Sequence, residues 1–279
     1  MRDTDYTYTV ARIRANEPTL LSAAGVEQMI SAPDCPEIAN VDEKMAETWQ
    51  LITEILPQPG TLDFLIIKND FHNLKALLKS IFTGGEPGAY FMRPTVFIID
   101  ELAEPLREKR FDRLPAYMAG CVEEAYELLV KTLDGQLADA VIDRQCLETT
   151  LAMAKATKND FAATLAEMMC AFANAKITLR AAKTGKGQAF LERALCKCPA
   201  VADIPEEALQ SGAAFEKYCD DALLGYAFTA KAKHFGPEPL IAFFLAREAE
   251  AKTLRIVSAC RQSGCPAEEI RKRVRLLYV

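Results

Sequence analysis

Apolar residues recur at spacings of three and four through most of this chain, and short alternating stretches are almost absent. That is the period of helices packed by one face, not of strands, so the fold class that follows is all-α. Half of the 279 residues are apolar, enough for a true core, and the length suits one large domain or two to three small lobes. The longest apolar runs, such as residues 240–246, hold seven residues, far short of the roughly 20 that cross a hydrocarbon core. No membrane-spanning helix is expected. The opening stretch, residues 1–10, has no basic region followed by an apolar segment, so no secretory signal is expected either.

Charge and cysteine usage narrow the setting. The 33 Lys+Arg against 39 Asp+Glu give a net charge of −6, and a chain that grips phosphates without sequence preference needs the opposite balance. The nine cysteines run from Cys35 to Cys265 in no regular framework. An odd, scattered set points to free thiols in a reducing, cytosolic compartment. Residues 247–279 hold eight basic and four acidic side chains, a local +4 that leaves −10 over the remainder. Such an acidic body and basic end suit pairing with each other or with different partners.

Breakers divide the helical pattern. The spacing predicts a long helix over 61–82 between Pro57-Gln-Pro-Gly60 and Thr83-Gly-Gly85. Its face at 66, 70, 73, 77 and 81 reads Ile, Asp, Asn, Leu, Ile, so two polar groups interrupt an apolar stripe and need hydrogen-bond partners there. Lys68, His72, Lys75 and Lys79 form an opposite, basic and wet face. Residues 94–100 are the one strand-like run, but a helical rhythm continues it, so both readings stay open. Helices follow over 117–133, 137–156, 159–182 and 188–195. A short one spans 204–211 with Pro205 in its first turn. A long helix starts at Phe235-Gly-Pro-Glu-Pro239 and ends near 262, with Gly264 as a left-handed cap and a final helix opening at Cys265-Pro266.

Three of the long helices share a pattern: Asn69-Asp-Phe-His-Asn-Leu-Lys75, Cys170-Ala-Phe-Ala-Asn-Ala-Lys176 and Ala246-Arg-Glu-Ala-Glu-Ala-Lys252. Each has a polar residue two before a lysine, and Lys79, Arg180 or Arg255 follows three or four later. The lysines lie 101 and 76 residues apart, so a repeating unit would be a lobe of several helices. Asn73, Asn174 and Glu250 are then the buried polar members, each bonding backbone or a neighbouring basic group. Glu248, Lys252 and Arg255 share a helix face with Ile241 and Leu245. Buried, such a group must be fully paired and fixes helix register; exposed, it adds little.

Nothing nominates catalysis or a cofactor. Cys196-Lys-Cys198 is half of a metal clamp without a close second pair. Lys183-Thr-Gly-Lys-Gly187 lacks the spacing and the preceding strand of a phosphate loop and reads as a turn. His72 and His234 stand beside no Ser or Cys nucleophile.

The stretch Phe235-Gly-Pro-Glu-Pro-Leu-Ile-Ala-Phe-Phe-Leu-Ala-Arg-Glu-Ala-Glu-Ala-Lys-Thr-Leu-Arg-Ile256 and the ending Ile270-Arg-Lys-Arg-Val-Arg-Leu-Leu-Tyr-Val279 closely resemble the C subunit of V-type and archaeal-type ATPases, the counterpart of the eukaryotic d subunit. Asn69-Asp-Phe-His-Asn-Leu-Lys-Ala-Leu-Leu-Lys79 and Tyr6-Thr-Tyr-Thr-Val-Ala-Arg-Ile-Arg14 look like the same family, so the resemblance touches both ends and the middle. It implies three pseudo-symmetric helical lobes arranged as a funnel, approximately 1–112, 113–200 and 201–279. It also implies a rotor component without an active site, seated on the cytoplasmic side of the membrane proteolipid ring. The D and F subunits of the central shaft would be the other partners, and torque would pass through this chain for proton or sodium transport. Asn73, Lys75, Asn174, Lys176, Glu248, Glu250, Lys252 and Arg255 are the structural or interface candidates. Ala171 departs from the pattern, standing where the first repeat has Asp70. A helical scaffold of another complex, and behind it a small α-helical enzyme, are the alternatives.

Overall fold

Polar starts and left-handed stops set the helix boundaries. Asp134 accepts from the Gln136 and Leu137 amides, Asn159 from Ala162, Ser211 from Ala214 and Ser22 from Gly25, which satisfies first-turn donors that have no partner inside the helix. Gly84 and Gly185 close two helices at φ 68° and 67°, a conformation that costs a residue with a Cβ more than it costs glycine. Leu133 takes the same role at φ 53°.

The computed structural model describes residues 3–32 and 41–279; Cys35 and residues 1–2 of the opening stretch lie outside them. Among the described residues there are helices and no strands, so the chain is all-α. In order these are α1 (Thr7–Asn16), α2 (Ala23–Ser31), α3 (Val41–Ile55), α4 (Ile67–Thr83), α5 (Ile99–Arg107), α6 (Ala116–Thr132), α7 (Gly135–Ala156), α8 (Asp160–Thr184), α9 (Gln188–Ala194), α10 (Glu206–Leu209), α11 (Gly212–Ala227), α12 (Glu238–Gln262) and α13 (Ala267–Arg273). No described helix is long and apolar enough to cross a membrane.

Two compact units divide the chain, one of residues 60–202 and one joining 1–59 to 203–279. In the first, α7 packs on α4, α6, α8 and α9, and α4 also on α5. Phe71, Leu74, Leu78, Met118, Val122, Val141 and Ile142 fill its core. In the second, α12 is central, with α1, α2, α3, α11 and α13 against it. Every residue from 239 to 246 is buried, and so is Arg247, which is why 240–246 reads as a continuous apolar run: the amino-terminal half of α12 is covered on all sides. Trp49 meets the Phe244 ring edge-on at 5.5 Å.

Three boundaries differ from the sequence expectation or decide what it left open. The helix expected from residue 61 begins at Ile67, because Gly60, at φ 82°, opens a turn that leads into a 3-10 turn, Asp63–Leu65. Pro205 stands just before α10 in extended backbone, and α10 is only four residues long. Of the strand-like run 94–100, residues 94–98 are neither strand nor helix, and the last two open α5, which starts at Ile99.

Candidate functional site

Asn73 is fully buried on α4. Its Nδ2 donates to the Met92 carbonyl at 3.0 Å, and its Oδ1 accepts from the Met92 amide at 2.7 Å. One side chain thus takes both backbone groups of a residue in the strap that leads to α5. Asp70, also fully buried, accepts from the Val96 and Phe97 amides at 2.9 Å each, and Asn69 donates to the Pro94 carbonyl at 2.8 Å. The run 94–98 is bent at 94 and at 96–97, and its backbone pairs with side chains of α4 instead of with a strand.

The same clamp recurs on α8. Asn174 is half-buried; it donates to the Cys196 carbonyl and accepts from the Cys196 amide, both at 3.0 Å. Ala171, at the position of Asp70, has no side chain with which to hold the strap further along. On α12 the third position carries charge. Glu250, 2 % exposed, accepts from the Leu21 amide at 3.1 Å and from Arg247 at 2.6 Å. Arg247, equivalent to Asp70, is 7 % exposed and reaches Thr48 Oγ1 at 3.2 Å, Thr19 Oγ1 at 2.9 Å and the Thr19 carbonyl at 3.4 Å. Lys44 adds an outer partner to Glu250 at 3.7 Å. An amide, an amide and a carboxylate–guanidinium pair thus hold three connecting segments by their backbones.

The lysines of the pattern lie further out. Lys75 pairs with Asp143 at 2.5 Å and Lys252 with Asp220 at 2.6 Å, while Lys176 is half-buried. Arg255, exposed, pairs with Asp42 at 2.5 Å, and Glu248 is half-buried. The buried ionic group of α12 is Arg247 with Glu250, one helix face around from Glu248, Lys252 and Arg255. Arg247 escaped the sequence reading because Thr19 and Thr48 lie 228 and 199 residues away. A basic residue amid apolar neighbours was the available signal.

Electrostatics in the first clamp follow burial. The carboxyls of Asp70 and Asp63 are pushed above their usual range by desolvation, which at Asp70 outweighs the two amide donors. Tyr117 beside them is pushed up by burial first, then by their charges. The Cys121 and Cys146 thiols are each pushed up to about 12, chiefly by burial.

A groove of about 630 Å³ lies beside α4, lined by His72, Lys75, Lys79, Glu86, Tyr90 and Asp139 among others. His72 Nε2 is 3.0 Å from the Tyr90 carbonyl, and the two lysines pair with Asp143 and Asp139 at 2.5 and 2.6 Å, so the nitrogen groups of this groove are already engaged. His234 is exposed. The Lys183–Gly187 segment, residues 183–187, ends α8 as a turn, with Lys186 over the Phe190 ring. Among the described residues no group of three His, Cys, Asp or Glu is arranged to hold a metal ion. What this arrangement does chemically is brace connections between helices.

The ATP synthase (C/AC39) subunit family matches at residues 39–199 and 191–273, a span that includes α4, α8 and α12. The chain belongs to the ATP synthase (C/AC39) subunit family. It is 22 % identical over 275 residues to the C subunit of the V-type sodium ATPase of Enterococcus hirae, covering 86 % of this chain and 82 % of that protein. As a member of the C/AC39 family it is a non-catalytic part of an ATPase complex.

Proposed function

We propose that this chain is the central-stalk component that joins the membrane proteolipid ring to the D and F subunits of the central shaft, on the cytoplasmic side of the membrane, and transmits torque between them. The match to the C/AC39 family over residues 39–273 carries the reading. A coupling element must resist shear, and connectors held through both backbone groups of one residue suit that task better than free loops do. On this reading α4, α8 and α12 are the equivalent helices of three pseudo-symmetric lobes, near 1–112, 113–200 and 201–279. Asn73, Lys75, Asn174, Lys176, Glu248, Glu250, Lys252 and Arg255 then keep each lobe in register or meet its partners. The −10 carried by residues 1–246 complements the Lys/Arg-rich cytoplasmic loops typical of membrane proteins, so docking on the ring is in part electrostatic.

The test is to tag this chain in its own cells, solubilise the membranes gently and identify co-purifying proteins by mass spectrometry. Recovery with a proteolipid, shaft proteins and nucleotide-binding subunits is the expected result. A monomer free of all of them, with the intact ATPase in the same extract, would overturn the assignment. Ring binding should weaken as salt is raised past the screening range; binding that does not change would remove the electrostatic part.

A further inference from the structure

Residues 274–278, which follow α13, have no helix of their own. Side chains of α11, of α12 and of the 3-10 turn Phe228–Ala232 take their backbone groups. Lys217 Nζ donates to the Val274 carbonyl at 2.6 Å, and the Arg275 amide donates to Thr253 Oγ1 at 3.2 Å. The Leu276 amide donates to Asp221 Oδ1 at 2.6 Å, and Lys231 Nζ donates to the Tyr278 carbonyl at 2.6 Å. Thr253 lies 22 residues before Arg275, as Asn174 lies 22 before Cys196 and Asn73 lies 19 before Met92. By that spacing 274–278 is a strap of α12, the counterpart of the runs held by α4 and α8.

The hold on it is of a different kind. Asn73 and Asn174 are neutral, whereas three of the four side chains on 274–278 are ionic, and none of the three is buried: Lys217 and Asp221 are half-buried and Lys231 is exposed. They belong to a network of charges, in which Lys217 pairs with Asp221 at 2.7 Å, Arg275 with Asp220 at 2.7 Å, and Asp220 with Lys252 at 2.6 Å. Tyr278, 2 % exposed, ends the run. Its ring is 5.5 Å from that of Phe228, and the Lys231 ammonium stands over both, at 4.5 and 4.7 Å. Lys231 thus grips the run by its side chain, while Arg14 Nη2 holds the end of the turn through the carbonyls of Ala230, Lys231 and Lys233 at 2.8, 3.0 and 3.1 Å.

We propose that residues 274–278 are an ionic latch that opens as one piece while α12 stays folded, and that the end of the turn at 228–233 loosens with it. Bonds between charged groups that water reaches weaken as salt shortens the screening length; bonds from neutral amides do not depend on it in this way. Segments with few buried contacts of their own open at lower cost than the helices beneath them. Opening uncovers Thr253, which has no exposure while the latch is shut, and the Phe228 ring. The latch does not rest on the rotor reading.

Hydrogen exchange of the full chain, resolved to single amides by fragmentation in the mass spectrometer, tests it. Raising NaCl from about 0.01 M to about 1 M shortens the Debye length from about 30 Å to about 3 Å. The Arg275 and Leu276 amides should then exchange about tenfold faster, while those of Met92 and Cys196, held by neutral side chains, change by less than about twofold. The amides in the middle of α12 should stay protected. Lys231→Met keeps most of the stem and removes the charge, and it should speed exchange at Leu276 and also at the Lys233 amide, which donates to the Ala230 carbonyl at 3.0 Å. Exchange at Arg275 and Leu276 as slow as in α12 would show that the run opens only with the whole unit, and would overturn the latch. A salt response no larger than at Met92 and Cys196 would overturn its ionic character, and an unchanged Lys233 amide in Lys231→Met would overturn the joint release.

Discussion

Replacing Asn73 by leucine removes the first clamp while keeping a side chain of similar size. The loss comprises two hydrogen bonds, at 2.7 and 3.0 Å, from a side chain with no exposure. At about 1 kcal/mol net for each bond, the direct cost is about 2 kcal/mol. Met92 is 45 % exposed, so water can reach its freed backbone groups, and the full penalty for buried unpaired groups does not apply. Leucine also returns some apolar burial. The expected destabilisation is therefore about 1–3 kcal/mol, or roughly 2–12 °C in melting midpoint at about 2–4 °C per kcal/mol. Hydrogen exchange measured by mass spectrometry localises it: amides in residues 91–97 should exchange about tenfold faster for each 1.4 kcal/mol lost, while those of α12 stay protected. Asn174→Leu, at a half-buried clamp, should fall at the low end and affect 195–198 instead. A midpoint within about 0.5 kcal/mol of the parent, with unchanged exchange at 91–97, would refute the clamp argument.

Glu250→Ala should cost about 3–5 kcal/mol, because it leaves the Arg247 guanidinium buried without its carboxylate. Glu250→Gln, which can still accept from the Leu21 amide, should cost less; unfolding followed by the fluorescence of Trp49, the single tryptophan, separates the two, and equal losses would count against the pairing. With Asp70 and Asp63 raised above the ordinary 3.8, the native state holds protons that the unfolded chain has released. Stability should then fall as pH rises from about 3.8 through the raised values. Urea unfolding across that range should show a shallower slope in Asp70→Asn, and an unaltered slope would remove Asp70 from the account. Asp42→Ala breaks the exposed pair with Arg255 and should lower stability by less than about 1 kcal/mol, read from the urea midpoint; a larger loss would count against the small worth of exposed pairs.

Helix ends were the legible part of the fold where punctuation was strong. Asp134-Gly135, Gly185 and Gly264 each stop or start a helix by local chemistry, within reach of the residue itself. The clamps were half legible. Asn73 and Asp70 stand out because polar side chains interrupt an apolar stripe, whereas their partners, 19 to 27 residues further on, carry no mark in sequence since the contacted groups are backbone. The run 94–100 stays open in the sequence for the same reason: β-branched residues favour extension, and periodicity does not tell whether another strand or a row of side chains completes the hydrogen bonds. Arg247 was least legible, because its surroundings come from α3 and from the residues just before α2.

The third clamp also orders events during synthesis. Residues 60–202 are contiguous, and both Asn73 with Met92 and Asn174 with Cys196 can close as soon as that stretch has left the ribosome. Leu21, Thr19 and Thr48 emerge early yet meet Glu250 and Arg247 only after some two hundred further residues have been made. The early segment α1–α3 must therefore wait with its apolar faces uncovered while the middle of the chain folds, and α12 both completes that unit and ends its exposure to chaperones.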